Sequence, residues 1–196
     1  MLFASVRRHL NSFAIATVFA VAALLAVALP AEAKIVYTVV DVTIESNTCC
    51  GYVDLDLNHD GINDFEIQQF FSGPFACGDR TGDHDLVSII PVTGNGIVDS
   101  PVLLPSGAEI NSNQEFHKAK TVFFAVGCLF VSRNASGYLG LEFQIEGKTH
   151  YGWAYVKVAA TGPEGVKPGT LHTTLIGFAY ETIPSQAIKT GETSGE

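Results

Sequence analysis

Cationic side chains are scarce in this 196-residue chain: 11 Lys and Arg stand against 20 Asp and Glu. Phosphate backbones are held by clustered Lys and Arg, so the composition excludes nucleic acid as a partner. Methionine occurs only at position 1, tryptophan only at position 153, and glycine nowhere before residue 51. Beyond residue 33 there is no second long apolar run, so the mature chain is expected to carry no membrane span. No window of a dozen residues there shows an apolar stripe of period 3.6, which predicts few or no helices. The chain lacks a Cys-x-x-Cys spacing, which argues against zinc. It also lacks a G-x-S-x-G turn, which argues against a nucleophile-elbow hydrolase.

What the chain does have begins with its apolar content, which is concentrated at the start. Arg7, Arg8 and His9 precede an apolar run from Phe13 to Leu29, broken only by Thr17. Pro30 ends the run, and Ala31-Glu32-Ala33 sets small residues where signal peptidase cuts. Residues 1–33 are therefore expected to be a secretory signal peptide, with an uncleaved anchor as the alternative reading. The mature protein is expected to begin near Lys34 and to work outside the cytoplasm, whether extracellular, on the cell surface or periplasmic. Four cysteines fit an oxidising compartment: Cys49, Cys50, Cys77 and Cys128. Neighbouring cysteines seldom bridge each other, so Cys49 and Cys50 each pair with Cys77 or Cys128, in an order the sequence leaves open.

Apolar residues after Lys34 recur with period two. Val36, Val40, Val42 and Ile44 share a face; Val53, Leu55 and Leu57 alternate with Asp54 and Asp56. Leu86–Ile90, Ile97–Leu104 and Thr121–Val131 are further β-rich runs, separated by turn residues such as Gly94-Asn95-Gly96. Tyr138–Glu146, the turn at Gly147 and His150–Ala159 read as a hairpin, with Trp153 and Tyr155 on one face and Ala154, Val156 and Val158 on the other. A last strand is expected over Thr170–Thr182. Strands with one buried face each are satisfied by two packed sheets. The expectation is an all-β protein, a single antiparallel β-sandwich of jelly-roll type with eight to ten strands over residues 34–196.

The strongest chemical signal is Asp56-Leu57-Asn58-His59-Asp60-Gly61-Ile62-Asn63-Asp64. Calcium takes six to eight oxygen ligands, and a curled loop can bring oxygens of Asp56, Asn58 and Asp60 together. Gly61 permits the sharp turn, the carbonyl of Ile62 adds a ligand, and Asp64 closes the loop directly or through water. Calcium is thus the expected cofactor, bound at 56–64. An Asx-type turn with no ion is the competing reading. An EF-hand would need a bidentate Glu at loop position 12, which here is Ile67, so the loop is similar to those of FG-GAP and dockerin repeats over nine residues only. A second acidic group, Asp79, Asp83, His84 and Asp85, is read as a solvated loop near Cys77.

Catalytic signals are weaker. Glu142 and Glu146 on one strand would lie roughly 13 Å apart by strand rise, too far for a carboxylate pair, and pairing with Glu181 cannot be read from spacing. His150 and His172 are placed near strand starts. Tyr151, Trp153 and Tyr155 alternate on one strand face and could stack on sugar rings, or else cover the core.

Three segments carry a resemblance: Tyr138-Leu139-Gly140-Leu141-Glu142-Phe143, Gly147-Lys148-Thr149-His150-Tyr151-Gly152-Trp153-Ala154 and Ile176-Gly177-Phe178-Ala179-Tyr180-Glu181-Thr182. Together with Asp56–Gly61 they resemble a block found in uncharacterised secreted bacterial proteins, some of which end in a PEP-CTERM-type sorting tail. The resemblance implies an exported single-domain β protein and no particular activity. The expected role is non-catalytic, binding or structural, with a glycan or a cell-surface protein as partner. A carbohydrate-binding module is the alternative and a glycan-active hydrolase the third reading.

Overall fold

A computed structural model describes residues 34–45, 50–77, 80–100, 102–126, 134–160 and 171–195. Residues 1–33, and with them the export segment, lie outside the described residues, as do Cys49, Asp79 and Cys128. The proposed bridges therefore fall outside as well, although the backbones of Cys50 and Cys77 are placed.

Among the described residues there are twelve strands and no helix. They are β1 (Ile35–Glu45), β2 (Cys50–Leu55), β3 (Phe65–Cys77), β4 (Arg80–Pro91), β5 (Gly96–Val98) and β6 (Glu109–Ile110), then β7 (Phe116–His117), β8 (Thr121–Val126), β9 (Asn134–Ile145), β10 (Lys148–Ala160), β11 (Leu171–Glu181) and β12 (Ile188–Lys189). A six-stranded sheet runs β1-β11-β10-β9-β5-β7 and a four-stranded sheet runs β2-β3-β4-β8, with β12 and β6 forming a short ribbon. Every registered pair is antiparallel. The architecture is an all-β sandwich. The count exceeds eight to ten because strands of two residues, such as β6, β7 and β12, are too short to show a period.

The main core lies between the two larger sheets. Leu55, Phe65, Ile67, Val87 and Ile89 of the four-stranded sheet meet Ile44, Leu139, Leu141, Phe143, Ala154, Val156, Val158, Leu175 and Phe178 of the six-stranded one. The predicted hairpin is β9 and β10, with Lys148 opposite Ile145 across a two-residue turn. Glu146 (φ 51) and Gly147 (φ 73) both have positive φ, the requirement of the type I′ turn that matches strand twist. As expected, Ala154, Val156 and Val158 face this core while Trp153 points away from it.

That other face is buried too. Ile35, Val98, Ile110, Tyr151, Trp153, Ala179 and Ile188 form a second cluster, with Leu104, Phe116, Tyr138 and Tyr155 packed against it. Ile110 comes from β6 and Ile188 from β12, so the ribbon covers the outer side of the six-stranded sheet.

Two sequence expectations need correction. Val42 is 41% exposed, because the β1–β11 register shifts between Val39 and Val42, where Asp41 takes φ 53 and the alternation breaks. Asp83, His84 and Asp85 are not in a loop: their backbone belongs to β4, with His84 opposite Ser72 and Asp85 opposite Phe71.

Close packing makes one position in β10 intolerant of a side chain. A Cβ at Gly152 would lie 2.6 Å from the Ala179 carbonyl oxygen, 3.2 Å from Tyr180 Cβ and 3.3 Å from Leu57 Cδ2. The carbonyl is backbone in a paired strand and cannot step aside cheaply. Gly152→Ala is expected to cost about 2 kcal/mol, read as a lower midpoint in urea with an unchanged slope.

Candidate metal centre

The segment 56–64 joins β2 to β3 at one end of the four-stranded sheet. The Asp64 N–H donates to the Leu55 carbonyl at 2.7 Å, which closes the loop where the two strands meet. Inside it, the oxygens of the alternate polar residues turn onto the loop's own backbone. Asp56 accepts from the N–H groups of Gly61 (2.8 Å) and Asp60 (3.2 Å). The Asp60 N–H also reaches Asn58 Oδ1 at 3.4 Å, Asn58 Nδ2 donates to Asp60 at 2.9 Å, and Asp60 accepts from the Ile62 N–H at 2.8 Å. One N–H shared between Asp56 and Asn58 puts their oxygens side by side, and the amide of Asn58 ties Asp60 to the same group. Asp56, Asn58 and Asp60 are thus brought together as their spacing predicts. Positive φ at His59 (59) and Gly61 (85) produces the curl. Gly61 adopts it without penalty, and a Cβ there would be strained whatever the space around it.

Asp64 does something different. It is 7% exposed, and its carboxylate accepts from the Leu57 N–H at 2.9 Å and faces Asn95 Nδ2 at 3.4 Å. Its carbonyl accepts from the Val92 N–H (2.9 Å) and from Asn95 Nδ2 (3.0 Å), while Asn95 Oδ1 accepts from the Gln144 N–H at 3.1 Å. Asp64 therefore fastens the loop to the β4–β5 turn and, through Asn95, to β9 of the other sheet. Ile62 is 66% exposed and makes no core contact. His59 Nε2 and Thr38 Oγ1 of β1 share a hydrogen bond of 2.8 Å, and the His59 ring lies 5.9 Å from the Phe178 ring of β11. The loop is held by both sheets.

Among the described residues, no three His, Cys, Asp or Glu side chains gather closely enough to hold a metal on their own. The loop offers two carboxylates and one amide, all hard oxygen donors, which fits calcium chemistry and does not fit zinc or copper. Asn95 was legible only as a turn residue between two glycines. Its tie to Asp64 comes from a contact 31 positions apart in sequence and leaves no local trace.

Burial raises the Asp64 carboxyl from its ordinary 3.8 to about 6. The Leu57 N–H opposes this, the negative charges of Asp56 and Asp60 add to it, and Asn95 opposes it again. A carboxyl with a raised folded pKa favours the fold while protonated, so its contribution is complete below about pH 3.8 and is lost as pH rises through about 6. The melting temperature of chelator-treated protein is expected to drop across that window. Asp64→Asn, which stays neutral and keeps an oxygen toward Leu57, flattens this part of the profile.

The remaining candidates are engaged in structural contacts or lie far apart. Glu142 is ion-paired with Lys118, Glu146 sits in the hairpin turn, and Glu181 is 2% exposed and accepts from the Ile183 N–H at 2.8 Å. His150 is buried with Nδ1 at 2.9 Å from the Glu181 carbonyl. His172 lies opposite Ala159, nine positions along β10 from His150, a separation of about 30 Å by strand rise. Tyr151 and Trp153, each 2% exposed, belong to the second core cluster, so the face read as a sugar-stacking platform is covered by the chain itself; Tyr155 is half-buried beside it.

The fold and the loop define a class: an all-β antiparallel sandwich with an Asp/Asn-rich loop between two strands. Beyond that class the comparisons add nothing: no family model, curated protein or solved structure matches the chain.

Proposed function

We propose that this is an exported β-sandwich protein whose loop at 56–64 binds calcium, with a non-catalytic binding or structural role at the cell surface or in an extracellular matrix. One observation carries the metal reading: oxygens of Asp56, Asn58 and Asp60 converge on one stretch of backbone in a loop anchored to both sheets. Calcium would be held by Asp56, Asn58, Asp60 and the Ile62 carbonyl. Asp64, turned inward, would act through the loop's shape and its negative field. When bound, the ion supplies positive charge that offsets the crowding of three carboxylates and stabilises the folded state by mass action.

The export reading rests on the layout of residues 1–33, and the non-catalytic reading on structural roles already filled: Glu142 pairs with Lys118, the Glu181 carboxylate accepts from the Ile183 N–H, and His150 bonds the Glu181 carbonyl. Calorimetric titration of calcium into chelator-treated protein is the direct test. The expected result is a single saturable site that is lost in Asp56→Ala. An absence of heat together with an unchanged melt removes the metal from the proposal and leaves the loop as a hydrogen-bonded turn.

A further inference from the structure

The carboxylate of Glu181 ends β11 in a buried setting, 2% exposed. Its side chain accepts from the N–H of Ile183 (2.8 Å), from the main-chain N–H of Lys34 (3.3 Å) and from Thr182 Oγ1 (3.5 Å). Among the described residues, no side-chain cation reaches it. A carboxylate this deep, balanced only by neutral donors, is costly unless a cation compensates it. The position of Lys34 is fixed from both sides. Its carbonyl accepts from the Thr182 N–H at 3.0 Å, and the next residue, Ile35, lies directly opposite Glu181 in the β1–β11 register. His150 pins the Glu181 main chain from β10. Lys34 as a residue is exposed, while its main-chain nitrogen points at the Glu181 carboxylate.

We propose that export processing creates the missing partner: cleavage after Ala33 turns the nitrogen of Lys34 into an α-ammonium group that ion-pairs with Glu181. Water adds across the Ala33–Lys34 peptide bond; Ala33 departs with the new carboxylate, and Lys34 keeps the nitrogen, which takes up a proton. This rests on the export reading above and extends it, because it makes the site of cleavage a determinant of the mature fold. A neutral N–H donor becomes a charge-assisted one at a carboxylate already within reach. The strand register, not the side chain of Lys34, holds it there.

The test starts from the full precursor. The exported protein is compared with one made from a precursor carrying Ser-Gly inserted between Ala33 and Lys34, so that processing leaves two residues ahead of Lys34. Mass spectrometry fixes each N-terminus. The expected result is a natural N-terminus at Lys34 and a melting temperature about 5 °C or more above that of the extended form. In a Glu181→Gln background the two forms should melt together. A start at Lys34 with equal melting temperatures in the wild-type background overturns the ion pair and leaves the export reading intact. A natural start at another residue near Lys34 overturns the ion pair and leaves the export reading intact, whereas a chain that still starts at Met1 overturns both. If Glu181→Gln does not fold, the comparison of the two wild-type N-termini decides alone.

Discussion

Calcium at a thousandfold excess over its dissociation constant is expected to raise the melting temperature of chelator-treated protein by about 10 °C at neutral pH. Mass action at that excess contributes about 4 kcal/mol, and a chain of this size gains a few degrees per kcal/mol. The response should belong to the loop. Asp60→Asn keeps an oxygen for the Ile62 N–H and removes one negative charge, so the metal-free protein melts nearly as before while most of the calcium shift disappears. Ile62→Ala leaves the shift intact, because that side chain is 66% exposed and only its carbonyl is a candidate ligand. Magnesium should give a smaller shift, since it demands a tighter octahedral shell and sheds water reluctantly. Equal melts with and without calcium, at concentrations up to several millimolar, would defeat the metal reading.

Features of the fold are legible in the sequence where their signal is local. The two faces of β10 could be read residue by residue, because alternation is a local property of an extended chain. So could the convergence of Asp56, Asn58 and Asp60, which is set by their spacing and by Gly61. The inward turn of Asp64 could not be read: it depends on Asn95, which is distant in sequence and resembles any other residue of a glycine-flanked turn.

The ribbon of β6 and β12 was equally hidden. A two-residue strand has no period, and the polar residues after Ile183 gave no reason to expect a cover. Yet this cover is what turns the outer face of the six-stranded sheet from a surface into a core. In β10 the alternation separates two different buried faces, one carrying Ala154, Val156 and Val158 and the other Tyr151 and Trp153.

Trp153→Ala is expected to destabilise the protein by about 3–5 kcal/mol, on the order of 10 °C in melting temperature, and so to test that second core directly. The ring is 2% exposed and lies edge-on to Tyr138 at 5.2 Å and tilted against Tyr37 at 5.7 Å. Its Nε1–H donates to the Glu192 carbonyl at 3.1 Å, which ties the segment beyond β12 to the sheet. Trp153→Phe keeps most of the ring contacts and loses that bond, so a cost of about 1–2 kcal/mol is expected. Tyr52→Ala, at a ring 66% exposed on the four-stranded sheet, should change stability by less than about 0.5 kcal/mol. Because Trp153 is the only tryptophan, its fluorescence reports this layer alone. Deleting residues 187–196 removes Ile188 and the Glu192 carbonyl together, and should shift the emission to the red before the main core unfolds. A sugar platform would behave in the opposite way: Trp153→Ala would fold as well as the wild type and lose only ligand. A Trp153→Ala protein with wild-type stability would therefore refute the second core and return the aromatic face to the list of binding surfaces.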